Sequence, residues 1–207
     1  NLLIPRALKR ADCIITPSLF TKDELVHYYG TAPEKISVVP NALSQNFLLE
    51  KEGIRGDDIV AKYGLPKEFV LYVGTLQPRK NIPFLLRAFA ETRKRLPSIH
   101  LVLTGSLSAH HVDPMIEKAV AELKLEDYVH FSGYVESEDL PSLLSRARFF
   151  VFPTLYEGFG IPILEAMSQG VPVLASDIPA LREVAGEAVT YFEPTSIVSC
   201  QEKLYTL

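Results

Sequence analysis

Two acidic residues flank a glycine-containing turn in the stretch YEGFGIPILEAMSQG, which covers residues 156–170. Glu157 comes directly before the turn, and Glu165 follows eight positions after Glu157. The turn is too tight for most side chains, which favours glycine, and Pro162 is typical of the first turn of a helix. One apolar segment, FFVFP, leads into the turn and another, VPVLAS, leads out of it. The stretch therefore predicts a strand, a turn, a helix and a strand, with the helix N-terminus open toward a ligand.

The two acidic side chains suit different partners. An ionised carboxylate only accepts hydrogen bonds, so Glu165, low in the predicted helix, suits the two vicinal hydroxyl groups of a ribose. Glu157, at the turn, suits a sugar hydroxyl or an oxocarbenium-like transition state, in which positive charge develops. A purely structural interpretation stays open, in which one acid is stabilised by the helix dipole and the other is an exposed surface residue.

Two cationic residues follow another predicted strand. The segment GTLQPRKN comes directly after Val73, and it places Arg79 and Lys80 where the next helix begins. Gly74 lets the backbone turn closely at the strand end. Cations beside free backbone N–H groups form an anion site, and a diphosphate is the most demanding anion that such a site could bind. The alternative is a solvated helix start with two ordinary surface charges.

A third strand end carries a weaker signal. Ser-Gly-Tyr-Val follows Phe131, and Gly133 again opens the backbone, so that Tyr134 and Val135 could flank a planar base. A simple hydrophobic loop explains these residues equally well.

Several common kinds of binding site are excluded because their sequence motifs are absent. The first strand of the regular region is not followed by GxGxxG, and the chain has no P-loop. Without an Asp-x-Asp pair, a metal that would hold a nucleotide diphosphate is not expected, and Arg79 with Lys80 would neutralise it instead. The scattered histidines are interpreted as structural or surface residues: His27, His100, His110, His111 and His130. We therefore predict no metal site and no cofactor.

Composition limits the class of protein. The 207 residues are 47% hydrophobic and 22% charged, which predicts a globular chain with one substantial domain and part of a second. The net charge of −4 argues against a nucleic-acid partner. Cys13 and Cys200 lie far apart, with no CxxC or Cys/His cluster, so neither a disulfide framework nor a zinc site is expected. These features fit a cytoplasmic location.

From residue 57 onward, apolar strands alternate regularly with helices. The predicted strands cover residues 69–73, 99–104, 128–132, 149–153, 171–175 and 189–192. Short apolar strands that alternate with helices predict an α/β fold with a Rossmann-like, doubly wound parallel sheet of about six strands. Ligands of such sheets bind beyond the carboxyl ends of the strands.

The beginning of the chain predicts a different unit. Residues 1–41 contain a helix, a strand, a second helix that ends at Gly30 and a further strand. Apolar periodicity then fades over residues 42–56, which predicts a linker, and residues 57–207 form the regular domain. Because the first residue is Asn and the chain opens within a helix, we expect a fragment of a longer protein.

Taken together, the motifs resemble the C-terminal domain of GT-B-fold retaining glycosyltransferases of the group 1 family. The resemblance is carried by GTLQPRKN, LVLTG, VHFSGYV, the block from FVFPTLYEGFG to VPVLAS, and LREVAGEAVTYFEP, in this order. SLFTKDEL and KISVVPN are similar to the end of the N-terminal, acceptor-binding domain of that family. The resemblance implies that residues 57–207 bind a nucleotide-sugar donor and that most of the acceptor domain lies outside this chain.

The resemblance also implies roles for individual residues. Arg79 and Lys80, with Gly74, would hold the donor diphosphate, and Glu165 would bind the ribose. Glu157, as the catalytic residue, and the backbone of the turn would contact the donor sugar and phosphate; the turn residues are Gly158, Phe159, Gly160 and Ile161. Many members carry an arginine where this chain has Thr75, so Arg79 is expected to compensate.

The function implied is transfer of a hexose to a glycan or lipid-linked acceptor in polysaccharide biosynthesis, with retention at the anomeric carbon. The TLxPRKN form is similar to bacterial mannosyltransferases, which makes GDP-mannose the first donor to consider. An enzyme with a lipid-linked acceptor would work at the inner face of the membrane, and this chain alone is expected to be inactive. Three alternatives stay open: an epimerase-type isomerase of the same fold, a phosphorylase, or a non-catalytic nucleotide-binding module.

Overall fold

The computed structural model describes residues 3–48 and 56–206. Its first part consists of α1 (Leu3–Arg10), β1 (Ile14–Thr16), α2 (Leu19–Tyr29) and β2 (Ile36–Val38). β1 and β2 pair in parallel as a small sheet. Helix α2 begins at an N-cap in which Ser18 Oγ accepts the backbone N–H of Thr21 at 3.0 Å. It ends at Gly30, which has a left-handed backbone (φ 62°), so the predicted end of this helix is confirmed.

The segment predicted as an irregular linker contains a short helix, α3 (Gln45–Leu48). The prediction missed this helix because a single apolar side chain anchors it, which leaves no periodicity to detect. Phe47 is buried in the main hydrophobic core, and Asn46 Nδ2 donates to the carbonyl oxygen of Ser137 at 3.3 Å. Residues 49–55 of the predicted linker lie outside the described residues. The predicted division of the chain into domains stays a prediction.

Strands alternate with helices through the rest of the chain. The strands are β3 (Phe69–Tyr72), β4 (His100–Thr104), β5 (Val129–Gly133), β6 (Phe149–Phe152), β7 (Val173–Ser176) and β8 (Thr190–Phe192). The helices are α4 (Gly56–Lys62), α5 (Ile82–Arg93), α6 (Met115–Glu122), α7 (Leu140–Arg146), α8 (Ile161–Ser168), α9 (Pro179–Ala185) and α10 (Ile197–Thr206). A 3-10 turn at Pro78–Lys80 precedes α5.

These six strands form one parallel sheet with the order β5-β4-β3-β6-β7-β8. The chain moves outward from β3 to one edge, returns to the centre at β6, and moves outward to the other edge. Because β-α-β crossovers are right-handed, this reversal places helices on both faces of the sheet. At the centre, Val70 pairs with Phe149 and Leu71 with Phe150. The predicted doubly wound α/β class is confirmed.

The central strands are buried on both faces. Every residue of β3, β6 and β7 is buried, which explains why these segments are continuous apolar runs rather than alternating ones. β7 begins at Val173 instead of the predicted residue 171. Pro172 has no N–H to donate to the sheet, although its carbonyl accepts the N–H of Phe150 at 2.9 Å.

Within the described part of the chain, no helix is both long enough and apolar enough to cross a membrane.

Candidate functional site

The two central strands end side by side at the carboxyl edge of the sheet. After β3 the chain passes through Gly74 to the 3-10 turn, and after β6 it leads to the glycine turn. The two loops are joined at the carbonyl oxygen of Arg79, which accepts the backbone N–H of Leu155 at 2.8 Å and Thr154 Oγ1 at 3.1 Å. Ligands of doubly wound sheets bind in the crevice where the strand order reverses, which is here between β3 and β6.

Three side chains converge on one carboxylate oxygen of Glu157. Oε1 accepts a hydrogen bond from Arg79 Nη1 at 2.8 Å, forms an ion pair with Lys80 Nζ, and lies 3.2 Å from Thr154 Oγ1. The side chains of Glu157 and Lys80 are 12% and 8% exposed, whereas that of Arg79 is 43% exposed. We call Arg79, Lys80, Thr154 and Glu157 the Glu157 cluster. It unites charged residues from two separate motifs of the sequence.

The side chain of Lys80 is unusually buried for a cation. Burial lowers the pKa of its ammonium group, while the hydrogen bond from that group to Glu157 raises the pKa. Nζ also lies 4.8 Å from the centroid of the Phe152 ring, within the range of a cation–π interaction. A buried ammonium group is tolerated only when it is paired, so the carboxylate of Glu157 is what keeps this cation in place.

The turn between Glu157 and α8 leaves backbone donors open. No described acceptor receives a hydrogen bond from the backbone N–H groups of residues 158–161. Gly160 has φ 97°, and a Cβ atom there would lie 2.5 Å from Cδ2 of Leu181, so both the backbone and the packing require glycine. Open N–H groups at a helix start form a site for an anion.

A cleft of about 440 Å³ opens at the carboxyl ends of β3, β4 and β5. None of the side chains that line it is charged, and they include the predicted base-flanking residues Tyr134 and Val135. Gly105 has φ 105°, and a Cβ atom there would lie 2.6 Å from the carbonyl oxygen of Gly74, so glycine lets these strand ends approach each other. An uncharged cleft of this size suits a planar ring.

Glu165 lies in the second turn of α8 and takes no part in the Glu157 cluster. The side chain is partly buried, and this burial raises the pKa of its carboxyl group. No hydrogen bond or ion pair to its carboxylate is found within residues 3–48 and 56–206. A carboxylate in this situation is available to a ligand.

A protein-family model for group 1 glycosyl transferases matches residues 57–206. The chain belongs to the group 1 glycosyltransferase family. A second model, for glycosyltransferase family 4, matches residues 1–46 of this glycosyltransferase chain. The cleft, the Glu157 cluster and the open helix start all lie in the segment matched by the first model.

Known proteins similar to this glycosyltransferase chain include mannosyltransferases and GT-B structures. It is 37% identical to the O-antigen chain mannosyltransferase B of Escherichia coli, over 92% of this chain and 50% of that protein. It superimposes on the sucrose-phosphate synthase of Thermosynechococcus elongatus with a TM-score of 0.81 and 27% identity, over 99% of this chain and 51% of the other. It superimposes on Anabaena HepE in complex with UDP and glucose with a TM-score of 0.82 and 21% identity, over 97% and 54% of the chains. The chain thus spans about half the length of these proteins.

The structure sorts the predicted site residues of the glycosyltransferase into four places. Arg79, Lys80 and Glu157 meet in the Glu157 cluster, and residues 158–161 form the open helix start beside it. Gly74, Tyr134 and Val135 line the cleft, and Glu165 stands apart on α8. Their roles toward a donor stay predictions. In the part of the chain that the structure describes, no three His, Cys, Asp or Glu side chains are grouped as a metal site requires.

Two residues of this site were missed in the sequence. Thr154 is fully buried and its hydroxyl lies within hydrogen-bonding distance of both site loops; the available signal was a polar residue directly after an apolar strand. Tyr72 lies beneath the first loop, where its hydroxyl donates to the carbonyl of Thr75 at 2.7 Å. A Cβ atom at Gly74 would lie 2.8 Å from that hydroxyl, so packing against Tyr72 is a second, structural reason for a glycine at this position.

Proposed function

We propose that the whole protein is a retaining hexosyltransferase that transfers mannose from GDP-mannose to a glycan or lipid-linked acceptor. The observation that carries the proposal is the Glu157 cluster, which holds two cations between an uncharged cleft and an open helix start. Across the sheet, the cleft lies over β5, β4 and β3, the cluster lies at β3 and β6, and α8 begins after β6. A nucleotide sugar has three corresponding parts: a base, a diphosphate and a sugar.

The two cations have donors to spare for a diphosphate. Arg79 uses Nη1 for the Tyr156 carbonyl and for Glu157, and Nη2 and Nε have no acceptor among the described residues. The ammonium group of Lys80 has three N–H donors, of which Glu157 takes one. Phosphate oxygens would therefore bind beside Glu157 without displacing it. In our proposal the cations neutralise the diphosphate as it leaves the sugar.

The other end of the donor would meet Glu157 and the turn. Oε2 of Glu157 has no partner within the described residues, so it is available to a sugar hydroxyl. The bond from the anomeric carbon to the diphosphate oxygen breaks, and a new bond forms to the acceptor oxygen on the same face. The acceptor proton passes to the departing diphosphate oxygen. Because leaving-group stabilisation supplies most of the catalysis, this domain need not provide a base.

The nucleoside would extend from the cleft toward α8. We assign the base to the space beside Tyr134 and Val135, and the ribose hydroxyls to the unpaired carboxylate of Glu165. Two hydroxyl donors would compensate a partly buried carboxylate that lacks a protein partner. The donor is assigned as GDP-mannose because the relative that is 37% identical is an O-antigen chain mannosyltransferase. The acceptor would bind in the rest of the protein, at the cytoplasmic face of a membrane if it is lipid-linked.

Calorimetry on this chain tests the donor site. GDP, UDP and ADP are titrated into the wild type, Lys80→Ala and Lys118→Ala; Lys118 is an exposed control in an i,i+4 pair. We expect GDP to bind, Lys80→Ala to weaken it at least about tenfold, and Lys118→Ala to leave it unchanged. If none of the three nucleotides binds at millimolar concentration, the proposal is wrong.

Product analysis on the full-length protein tests the reaction. With GDP-mannose and an oligosaccharide acceptor, NMR should show a new glycosidic bond with the anomeric configuration of the donor. An inverted bond would refute retention. An isomerised nucleotide sugar formed without acceptor would identify an epimerase, phosphate-dependent cleavage would identify a phosphorylase, and nucleotide binding without turnover would identify a binding module.

A further inference from the structure

The N-terminus of α2 contacts the glycine turn directly. Ser18 Oγ donates to the carbonyl oxygen of Gly158 at 2.5 Å, and Thr21 Oγ1 donates to the same oxygen at 3.1 Å. Ser18 is fully buried, and its hydroxyl accepts the backbone N–H of Thr21 at 3.0 Å. A hydroxyl group has one proton to donate, and Ser18 Oγ lies closer to the Gly158 carbonyl oxygen than to its other acceptor, Thr21 Oγ1 at 3.0 Å, so both side chains are directed at one carbonyl.

A second contact fixes α2 in this position. The carboxylate of Glu183, on α9, accepts the backbone N–H of Leu19 at 2.7 Å with one oxygen and that of Phe20 at 2.9 Å with the other. These are the first N–H groups of α2, where a negative charge is favoured by the helix dipole. The helix start is therefore held by α9 on one side and by the glycine turn on the other.

Holding the Gly158 carbonyl also orients the next N–H group. The peptide bonds of the described residues are trans, and in a planar trans peptide the C=O and the N–H point in opposite directions. Because the Gly158 oxygen points toward Ser18 and Thr21, the Phe159 N–H points away from α2. Gly158, which precedes this peptide, gives it little resistance to rotation. The orientation of this N–H must therefore be imposed from outside the turn.

We infer that Ser18 and Thr21 are positioning residues for the donor: by fixing the Gly158 carbonyl, they hold the Phe159 N–H ready to bind the sugar-phosphate part of a nucleotide sugar. This inference rests on the proposed function, in which the turn contacts the donor. The hydroxyl donors also polarise the peptide, which strengthens its N–H as a donor. Ser18 and Thr21 lie in the segment matched by the family 4 model, and Gly158 lies in the segment matched by the group 1 model. Both segments would thus build one donor site.

Kinetics on the full-length enzyme test this inference. Thr21→Val removes one hydroxyl while keeping the side-chain shape and the Ser18 cap, and Thr21→Ser restores the hydroxyl. We expect Thr21→Val to raise the donor KM about threefold, because it removes one bond to the Gly158 carbonyl. Ser18→Ala should raise it about tenfold, because it removes the shorter bond and also the N-cap that holds Thr21 in place. Thr21→Ser should resemble the wild type, and the acceptor KM should not change. Ser199→Ala, on α10, removes another hydroxyl group that accepts a backbone N–H, from Glu193, and serves as a control.

Calorimetry on this chain separates the positioning role from a general loss of structure. Ser18→Ala should weaken GDP-mannose about tenfold and GMP less than twofold, because GMP lacks the sugar and the second phosphate. If the wild type selects UDP-glucose instead, the matched pair is UDP-glucose and UMP. Equal weakening of both ligands, or of neither, overturns the inference. Failure of the wild type to bind any of these ligands refutes the proposed function instead.

Thermal denaturation completes the test. Ser18→Ala also removes a helix cap, so its melting temperature should fall. Thr21→Val keeps that cap and decides the question if Ser18→Ala fails to fold. A Thr21→Val protein that is folded and has the wild-type donor KM contradicts the inference.

Discussion

Two acidic side chains flank the glycine turn, and they differ in their partners: one carboxylate is paired with cations and the other is unpaired. Glu157, before the turn, accepts bonds from two cations and lies beside the Thr154 hydroxyl group. Glu165, on the helix, has no partner for its carboxylate within residues 3–48 and 56–206, and burial raises its pKa. The same residue type therefore contributes to the protein in two different ways.

The contrast separates stabilising groups from groups reserved for a ligand. A paired carboxylate holds neighbouring cations in place and supports the folded state. A partly buried carboxylate without a partner destabilises the folded state, and such a group is more easily explained by ligand binding. We expect substitution of Glu157 or its partners to reduce both stability and activity, and substitution of Glu165 to reduce activity alone.

The largest effect is expected for Lys80→Met. It should lower glycosyl transfer by the full-length enzyme about 100-fold, because a cation at the leaving diphosphate is lost. It should also lower the free energy of unfolding by about 3 kcal/mol, because Glu157 stays largely buried with only Arg79 as counter-ion. Urea denaturation and initial-rate kinetics measure the two effects. As a control, Lys94→Met removes an exposed ion pair with Glu91 and should change neither the stability nor the activity. A stable and active Lys80→Met protein would contradict the distinction between the paired Glu157 and the unpaired Glu165.

The turn between the two acids should tolerate a side chain poorly. Gly160→Ala places a Cβ atom against Leu181 in a backbone conformation that strains alanine, and we expect a loss of about 2 kcal/mol in unfolding free energy. Gly133→Ala, which also has a positive φ but faces open space, should lose about 1 kcal/mol. Urea denaturation compares the two variants. Equal losses would mean that contact with Leu181 does not constrain the turn.

Glu165→Gln should separate stability from donor binding. The raised pKa means that the folded state binds the proton more tightly than the unfolded state, so this carboxyl group costs stability as pH rises through its unfolded pKa of about 4.5. The variant should therefore be at least as stable as the wild type at pH 7, yet bind GDP-mannose about tenfold more weakly. Melting temperatures and calorimetry check both halves. A marked loss of stability would show that Glu165 has a structural role instead.

A pair of histidines at the amino ends of β4 and β5 should give the smallest effect. His100 Nδ1 lies 2.9 Å from His130 Nε2, and burial lowers the pKa of both imidazoles. Because the unfolded chain then binds protons more readily, the stability of the folded state falls as pH drops below about 6.5. His130→Gln should reduce the fall in melting temperature between pH 7.5 and pH 5.5, and it should not change the donor KM. An unaltered pH profile would show that the pair does not titrate in this range.

The sheet could be predicted because the sequences of its strands are continuous apolar runs. All six strands were located from the sequence, and an error at the start of β7 came from a proline that still accepts a ladder hydrogen bond. The helix α3 was not predicted, since one buried aromatic side chain, Phe47, fixes it by a tertiary contact. Local sequence pattern therefore predicts an element well when many of its residues share one environment. It predicts poorly when a single tertiary contact fixes the element.

The site was predicted in its charged residues but not in its supports. Arg79, Lys80 and Glu157 belong to recognisable motifs, whereas Thr154 and Tyr72 act through backbone carbonyls that no motif reveals. The bond between Ser18 and Gly158 joins positions 140 residues apart. Hydrogen bonds to the main chain are not encoded by side-chain type alone, so partners of this kind become visible only in three dimensions.

The reversal of strand order at the centre of the sheet also has a consequence for folding during synthesis. β3 is the first strand of the large sheet to be made, and β4 can cover one of its edges as soon as it emerges. The other edge must wait for β6, which begins at Phe149, after β4, α6, β5 and α7 have been translated. Until then an apolar strand keeps an open edge, the kind of surface on which nascent chains associate wrongly. The crevice that gathers the charged residues therefore forms late, after most of the sheet has been synthesised.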